Sequence, residues 1–316
     1  MWRKSDGPAV MGQRSAAVAS YARRGLTVAI AGAIVLSACS PAPSQGSAHV
    51  DKAAVSTLSQ HSHSQPITAE GNSVATLTVQ AQDNDSAEVV TDDDTWSTVF
   101  FDDFDRSSLG TDWSAYTGRP SSDPRTWWDP TMVWLSNGSL VLAGAPSTGH
   151  TNLWRTGAVS NWKAAQTYGK WEVRFRTHAS QVLSYHFLLW PQAESWPPEI
   201  DIAEGYSRER TNSQSFLHWV DESGIRRQTS FSVNGNFSEW NTVAVEWTPN
   251  AVRFFLNGQA YGEATGLAVP HEPMFLALQT ETRLAASLQG QSRQTQFVWI
   301  DWVRISALDS QELAPN

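Results

Sequence analysis

Cysteine is nearly missing from this chain: Cys39 is the only one in 316 residues, so no disulfide can form within it. A membrane-length apolar run is missing too. The stretch Leu26–Ala38 holds only 13 residues, short of the roughly 20 that a spanning helix needs. No basic stripe offsets the formal net charge of -9, which argues against a nucleic-acid partner. Phe, Tyr and Trp are absent from Ser40 to Thr95, and that absence divides the chain.

Residues 1–38 read as a targeting segment: Arg23-Arg24 precedes the apolar run, which ends in Leu36-Ser37-Ala38-Cys39. The last four residues resemble the lipobox of bacterial lipoproteins, which implies cleavage before Cys39 and a lipid on its sulfur. The expectation is an extracytoplasmic protein, anchored to a membrane or secreted. Residues 39–95 are rich in Ser, Ala, Gln, Thr, Asp and Pro, bury too little apolar surface to offset their ordering entropy, and read as a disordered linker. Thr76–Gln80 is the one place in it where a short strand is conceivable. His61 and His63, like Asp92-Asp93-Asp94, read as solvated.

From Trp96 onward the composition reverses. Fifteen of the sixteen tryptophans lie between Trp96 and Trp302. A folded domain is expected over 96–306, with 307–316 a C-terminal tail; this span is ample for one β-sandwich core. Strand signals dominate. Trp171, Val173 and Phe175 alternate with charged residues, as do Val243, Val245 and Trp247 with their neighbours, and Asn257-Gly258 supplies a hairpin turn. Phe297–Ile305 reads as the closing strand, with Trp299 and Trp302 assigned to the core. Many short strands at close spacing mean an all-β sandwich or barrel.

The chemistry concentrates in Glu199-Ile200-Asp201-Ile202-Ala203-Glu204. As a strand, period two puts Glu199 and Asp201 on one face and the isoleucines on the other. Glu204 would point to the apolar side unless an extra residue, a β-bulge near Ala203, returns it to the acidic face. Two carboxylates flanking a bond are what glycoside hydrolysis requires, and Glu199 and Glu204 are the natural pair. Their Cα atoms would lie roughly 13 Å apart, and spacing alone does not choose between retention and inversion. Repulsion among the three acids should keep one of them protonated. An edge strand facing solvent or a calcium site would show similar residues.

The run EIDIAE, preceded by Trp196-Pro197 and followed by Leu217-His218-Trp219, resembles the signature of glycoside hydrolase family 16, in the bulged form shared by laminarinases, agarases and carrageenases. Phe100–Phe104, Asn137–Leu140, Tyr168–Arg174 and Ile300–Arg304 extend the resemblance over the whole domain. It implies a concanavalin-like β-jelly-roll sandwich of two curved antiparallel sheets and a retaining endo-β-glycosidase, with β-1,3-glucan the leading substrate and agarose, carrageenan or mixed-linkage glucan as alternatives. It also implies Glu199 as nucleophile, Asp201 as its supporting acid, Glu204 as general acid/base and His218 as a contact of the acids. Asp103, the Gly138 carbonyl and Asp301 match a structural calcium site; no cofactor is implied for catalysis. A monomer is expected.

Two details depart from the family pattern: only Pro198 separates Trp196-Pro197 from the acidic run, and Asn241 stands where a histidine is common. Sugar faces stack on indoles, so Trp127, Trp128, Trp190, Trp196 and Trp219 are candidate cleft residues, with Gln279 and Glu281 as candidate partners of sugar hydroxyls. A jelly roll that binds glucan without cutting it is the competing reading. Retention of both glutamates favours the enzyme.

Overall fold

The computed structural model describes residues 75–78, 95–120, 123–149, 153–282 and 294–309. Cys39, the targeting segment, His61, His63 and the C-terminal tail from residue 310 lie outside the described residues. Two sheets face each other. The eight-stranded sheet runs in the order Ala75–Thr78, Arg226–Asn234, Asn212–Val220, Glu199–Gly205, Leu183–Pro191, Met274–Thr282, Ala158–Ser160 and Ser114–Ala115. The ten-stranded sheet has Gly169–Thr177 and the long closing strand Gln296–Leu308 at its centre, with Asn241–Trp247, Ser139–Pro146 and Trp96–Asp102 beside them. This is the expected jelly-roll sandwich. Its pairing is antiparallel apart from two short edge pairs, Ala75–Thr78 on Arg226–Asn234 and Thr126–Trp128 on Trp154–Thr156.

Boundaries differ slightly from expectation at both ends. Leu308 pairs with Trp96, so the closing strand outruns residue 306 by two positions. Within the stretch expected to be a structureless linker, Ala75–Thr78 pairs in register with Phe231–Asn234 and covers an edge of the eight-stranded sheet. Covering an edge hides unpaired backbone groups from other chains, which is a physical reason for a strand at that place.

The core fills the space between the sheets. Trp171, Val173 and Phe175 enter it from one sheet, and Tyr185, Phe187 and Leu189 from the other. Trp171 stacks on Trp247 at 5.9 Å, and Phe175 meets Phe187 edge-on at 4.8 Å. Trp299 and Trp302 correct the sequence reading: both are half-buried on the outer face of the ten-stranded sheet. The pairing shifts between Ile300 and Trp302, so a bulge at Asp301 puts Ile300 and Val303 inward and both indoles outward. There they take part in a cation–π ladder in which Arg176 lies over Trp240 and Trp299, and Arg304 lies over Trp302.

The far end of the acidic strand is fixed by burial and by one arginine. Gly205 leaves no space for a side chain, since an added Cβ would sit 1.9 Å from the ring of fully buried Tyr185. Arg210, itself fully buried, donates to the carbonyls of Gly205 and His178, both at 2.9 Å, and to that of Leu183. Gly205→Ala is therefore expected to destabilise the domain by about 1–3 kcal/mol through overpacking. A lowered denaturant midpoint would show this, and an unchanged one would mean that the Tyr185 ring can swing aside.

Candidate active site

Glu199–Gly205 lies between Leu183–Pro191 and Asn212–Val220, and the bulge is where the sequence places it. Asp201 pairs with Phe216 and Glu204 with Gln214, so Ile202 and Ala203 together oppose the single residue Ser215. Ile200, Ile202 and Ala203 all point into the core, while Glu199, Asp201 and Glu204 are delivered to the opposite face. A straight strand could not do both.

Each carboxylate has its own partners. Trp196 Nε1 donates to Glu199 Oε2 at 2.6 Å. His218 pairs with Glu199 across the strands, and its Nε2 lies 3.2 Å from Asp201 Oδ2. Glu204 is held by two residues that sequence reasoning missed. His186 Nδ1 lies 2.7 Å from Glu204 Oε1, and the Tyr206 hydroxyl donates to Oε2 at 2.5 Å. Ser184 Oγ is 2.8 Å from the other nitrogen of His186. Tyr206, two residues past Glu204, could have been noticed from spacing. His186 could not, because only strand register places it opposite Glu204.

Burial and mutual repulsion set the protonation of the acids. Asp201 is pushed well above the usual carboxylate range, by burial first and then by the charges of Glu199 and Glu204. It thus keeps a proton and donates it to Glu199. Burial, followed by the charge of Glu204, raises Glu199 to about 7 against the opposing hydrogen bonds from Trp196 and Asp201. Glu204 goes the other way: burial opposes its ionisation, but His186 and Tyr206 outweigh that and hold it below its ordinary value. Burial, with repulsion added to it, therefore makes Asp201 the protonated member of the three acids. The three groups titrate as one set. The acidic groups of Glu199 and Asp201 and the His218 imidazole lie within 4.8 Å of one another, but their polar atoms are committed to each other and to Trp196, a proton-sharing arrangement and not a metal cage.

The other candidates divide. Trp196 is 37% exposed beside Glu199, with Arg226 lying over its ring at 4.8 Å and the His218 ring 5.5 Å away. Trp190 occupies the same strand face as His186 and donates to Glu194 at 3.1 Å. Gln279 is the cross-strand partner of His186 and bonds the hydroxyl of Tyr116, another residue not foreseen. Tyr116 in turn packs edge-on against Trp128 at 5.2 Å. Glu281 shares the face of Gln279 but is only 6% exposed.

Trp127 and Trp219 are not brought to this surface. Trp127 and Trp128 lie on a short strand, so alternation sends them to opposite faces. Trp219 follows His218 by one residue, faces the side of Leu217, packs against the core and bonds Thr229 at 3.2 Å.

The calcium ligands were tested in the same way. Strand register brings Asp103, the Asn137-Gly138 turn and Asp301 to one gap, where Ser139–Pro146 gives way to Trp96–Asp102 as neighbour of the closing strand. Yet the Asp301 carboxylate accepts from Arg174 at 2.5 Å, and that of Asp103 accepts from the Asp105 backbone at 3.1 Å. A guanidinium already supplies the positive charge, so this donor set does not fit a calcium ion.

A sandwich with two glutamates delivered to one face by a bulged strand, each held by its own hydrogen-bond donors, has the pattern of a β-jelly-roll glycoside hydrolase. The family model "Glycosyl hydrolases family 16" matches residues 122–304, and the chain belongs to that family. Among curated proteins it is similar to endo-1,3-1,4-beta-glycanase ExsH of Rhizobium meliloti, 27% identical over 165 residues that cover 50% of this chain and 35% of that protein. It is also similar to endo-1,3-1,4-beta-glycanase EglC of the same organism, 23% identical over 214 residues, covering 56% of this chain and 44% of the other. The matched region thus spans less than half the length of either relative. Among solved structures, the fold is that of the laminarinase catalytic domain from Thermotoga maritima, with a TM-score of 0.59 and 17% identity, covering 68% of this chain and all of that one. A family 16 protein of the Bacteroides ovatus mixed-linkage glucan system gives a TM-score of 0.58 at 18% identity, covering 65% of this chain and 99% of the other.

The calcium result is checked by thermal melting of the full chain with added calcium or with chelator. The expected outcome is no shift. An ion bound at a hundredfold excess over its dissociation constant would raise the midpoint by about 5–10 °C.

Proposed function

We propose that the chain is an endo-acting β-glycosidase that hydrolyses β-glucan with retention of configuration, with β-1,3 linkages as its leading target. The observation that carries this reading is the delivery of Glu199 and Glu204 to one face, each with a different set of hydrogen-bond donors. Glu199 is the nucleophile: Trp196 and protonated Asp201 orient its carboxylate, which attacks the anomeric carbon as the bond to the glycosidic oxygen breaks. Glu204 gives the departing oxygen its proton. In the second step Glu204 takes a proton from water, whose oxygen bonds to the anomeric carbon and releases the Glu199 carboxylate.

Trp196, Trp190 and the Trp128–Tyr116 pair are the stacking surfaces for the sugar rings along this face, and Gln279 binds hydroxyls. The family assignment, the two relatives named as endo-1,3-1,4-beta-glycanases and the fold likeness to a laminarinase support β-glucan as the substrate class. The names of those relatives also favour a second reading, mixed-linkage glucan. We propose further that the protein is extracytoplasmic and carries a lipid at Cys39, on the support of the Leu36-Ser37-Ala38-Cys39 sequence.

The test is reducing-end release by the full chain from laminarin, mixed-linkage glucan, agarose, carrageenan and xyloglucan. Activity is expected on laminarin, and Glu204→Gln should lower kcat/KM there by about 10²–10⁴. Glu199→Gln should abolish hydrolysis while glucan binding persists. Laminarin binding by a wild-type protein that cuts nothing in the panel would replace the enzyme with a glucan-recognition module.

A further inference from the structure

The pairing of Glu204 with His186 goes beyond orientation of a side chain. We propose that His186 is a positioning residue that shares one proton with Glu204, so that the pair, and not the glutamate alone, is the acid and base of the reaction. The inference rests on the hydrolase reading above.

Hydrogen-bond direction constrains where the hydrogens are. Ser184 Oγ donates to the Glu281 carbonyl at 3.2 Å, so toward His186 it is an acceptor and Nε2 carries a hydrogen. That leaves Nδ1 facing Glu204 Oε1 at 2.7 Å. A lone pair and a carboxylate oxygen repel at that distance, so one proton lies between them, on either atom. Tyr206 cannot provide it, because its hydroxyl is directed at the other oxygen, Oε2, and lies 3.5 Å from Nδ1.

The surroundings favour keeping that proton near neutral pH. His186 is 9% exposed. Around it stand Ser184 on its own strand, Glu204 and Tyr206 from the acidic strand and the turn after it, and Gln279 and Glu281 from Met274–Thr282, with Glu199 further off. Every charged group in that set is a carboxylate. Burial works against the imidazolium, but Glu204, Glu281 and Glu199 outweigh it and raise His186 above its ordinary value.

The pair then suits both halves of a retaining cycle. In the first step the shared proton leaves from Glu204: its O–H bond breaks, the proton goes to the glycosidic oxygen as the bond to the anomeric carbon breaks, and Nδ1 now faces a carboxylate with nothing between. That juxtaposition makes Glu204 a stronger base. In the second step a water O–H bond breaks, its oxygen bonds to the anomeric carbon, and the proton returns to the space between Oε1 and Nδ1.

The experiment compares the wild-type full chain with His186→Gln. It follows kcat/KM against pH on the β-glucan that the enzyme cleaves and on an aryl β-glycoside with an activated dinitrophenolate leaving group, which needs no acid to depart. In the wild type the basic limb reports loss of the shared proton. In the variant only the Glu204 carboxyl remains; loss of the imidazole raises it, but the ordinary carboxyl lies about two units below histidine, so the limb should move to lower pH. Near neutral pH kcat/KM on glucan should fall by roughly tenfold or more, and on the aryl glycoside by less than about threefold. Equal losses on both substrates with an unmoved limb would overturn the proposal and leave His186 a packing residue. Ser184→Ala, which removes only the acceptor for Nε2–H, is the second variant and should move the limb the same way by a smaller amount. If His186→Gln fails to fold, an unmoved limb in Ser184→Ala overturns the proposal by itself. A wild-type chain that hydrolyses neither substrate would overturn the hydrolase reading first and this one with it.

Discussion

The site depends on one backbone irregularity, the extra residue between Asp201 and Glu204. The strand must keep Ile200, Ile202 and Ala203 in a fully buried core while presenting three acids to the opposite face. Period-two geometry allows this only if the chain gains a residue between the second acid and the third. The surroundings hold it there. Buried Tyr185 closes the space above Gly205, Arg210 ties the Gly205 carbonyl to those of His178 and Leu183, and Ser215, the single residue opposite the bulge, donates to the Ile202 carbonyl at 2.7 Å.

With the bulge in place, the electrostatics of the acids follow from their unequal burial. Asp201 has the least access to water and two carboxylates beside it, so it is the group that stays neutral. A neutral Asp201 can donate to Glu199 without adding charge, and that lets two further acids share a small site. Glu204 escapes the same fate because an imidazole and a phenol are turned toward it. In the proposed reaction, chemically similar side chains within six residues thereby take different roles, one as nucleophile, one as donor and one as proton carrier.

Much of this could be read along the chain, because it depends on local periodicity. Alternation around Trp171 and Val243, the hairpin at Asn257-Gly258, the acidic strand and its bulge are all features of consecutive residues. What could not be read depends on register between strands distant in sequence. His186 faces Glu204 across 18 residues, and Gln279 faces His186 across 93 more, so neither neighbour is visible in its own segment. Trp219, Trp299 and Trp302 were misassigned for a related reason. Whether an indole faces core or surface turns on parity: Trp299 has the outward parity opposite Ile300, and the bulge at Asp301 turns Trp302 outward as well. At the expected calcium position the backbone convergence is there, and Arg174 reaches Asp301 from the neighbouring strand.

The two faces of the molecule use tryptophan in opposite ways, and this bears on where specificity resides. On the outer face of the ten-stranded sheet, Trp240, Trp299 and Trp302 are covered by arginines from the central strands, so their surface is spent on the protein itself. On the catalytic face, Trp128, Trp190 and Trp196 come from three separate segments at the margins of the acidic strand, and two of them direct their indole N–H at a carboxylate. The acids are bound to a strand whose other face is core, where few substitutions fit. The indoles sit at strand ends and turns, where a change in length or angle leaves the core untouched. On the proposed reading, chemistry and linkage preference therefore rest on different parts of the fold, and one can change without the other.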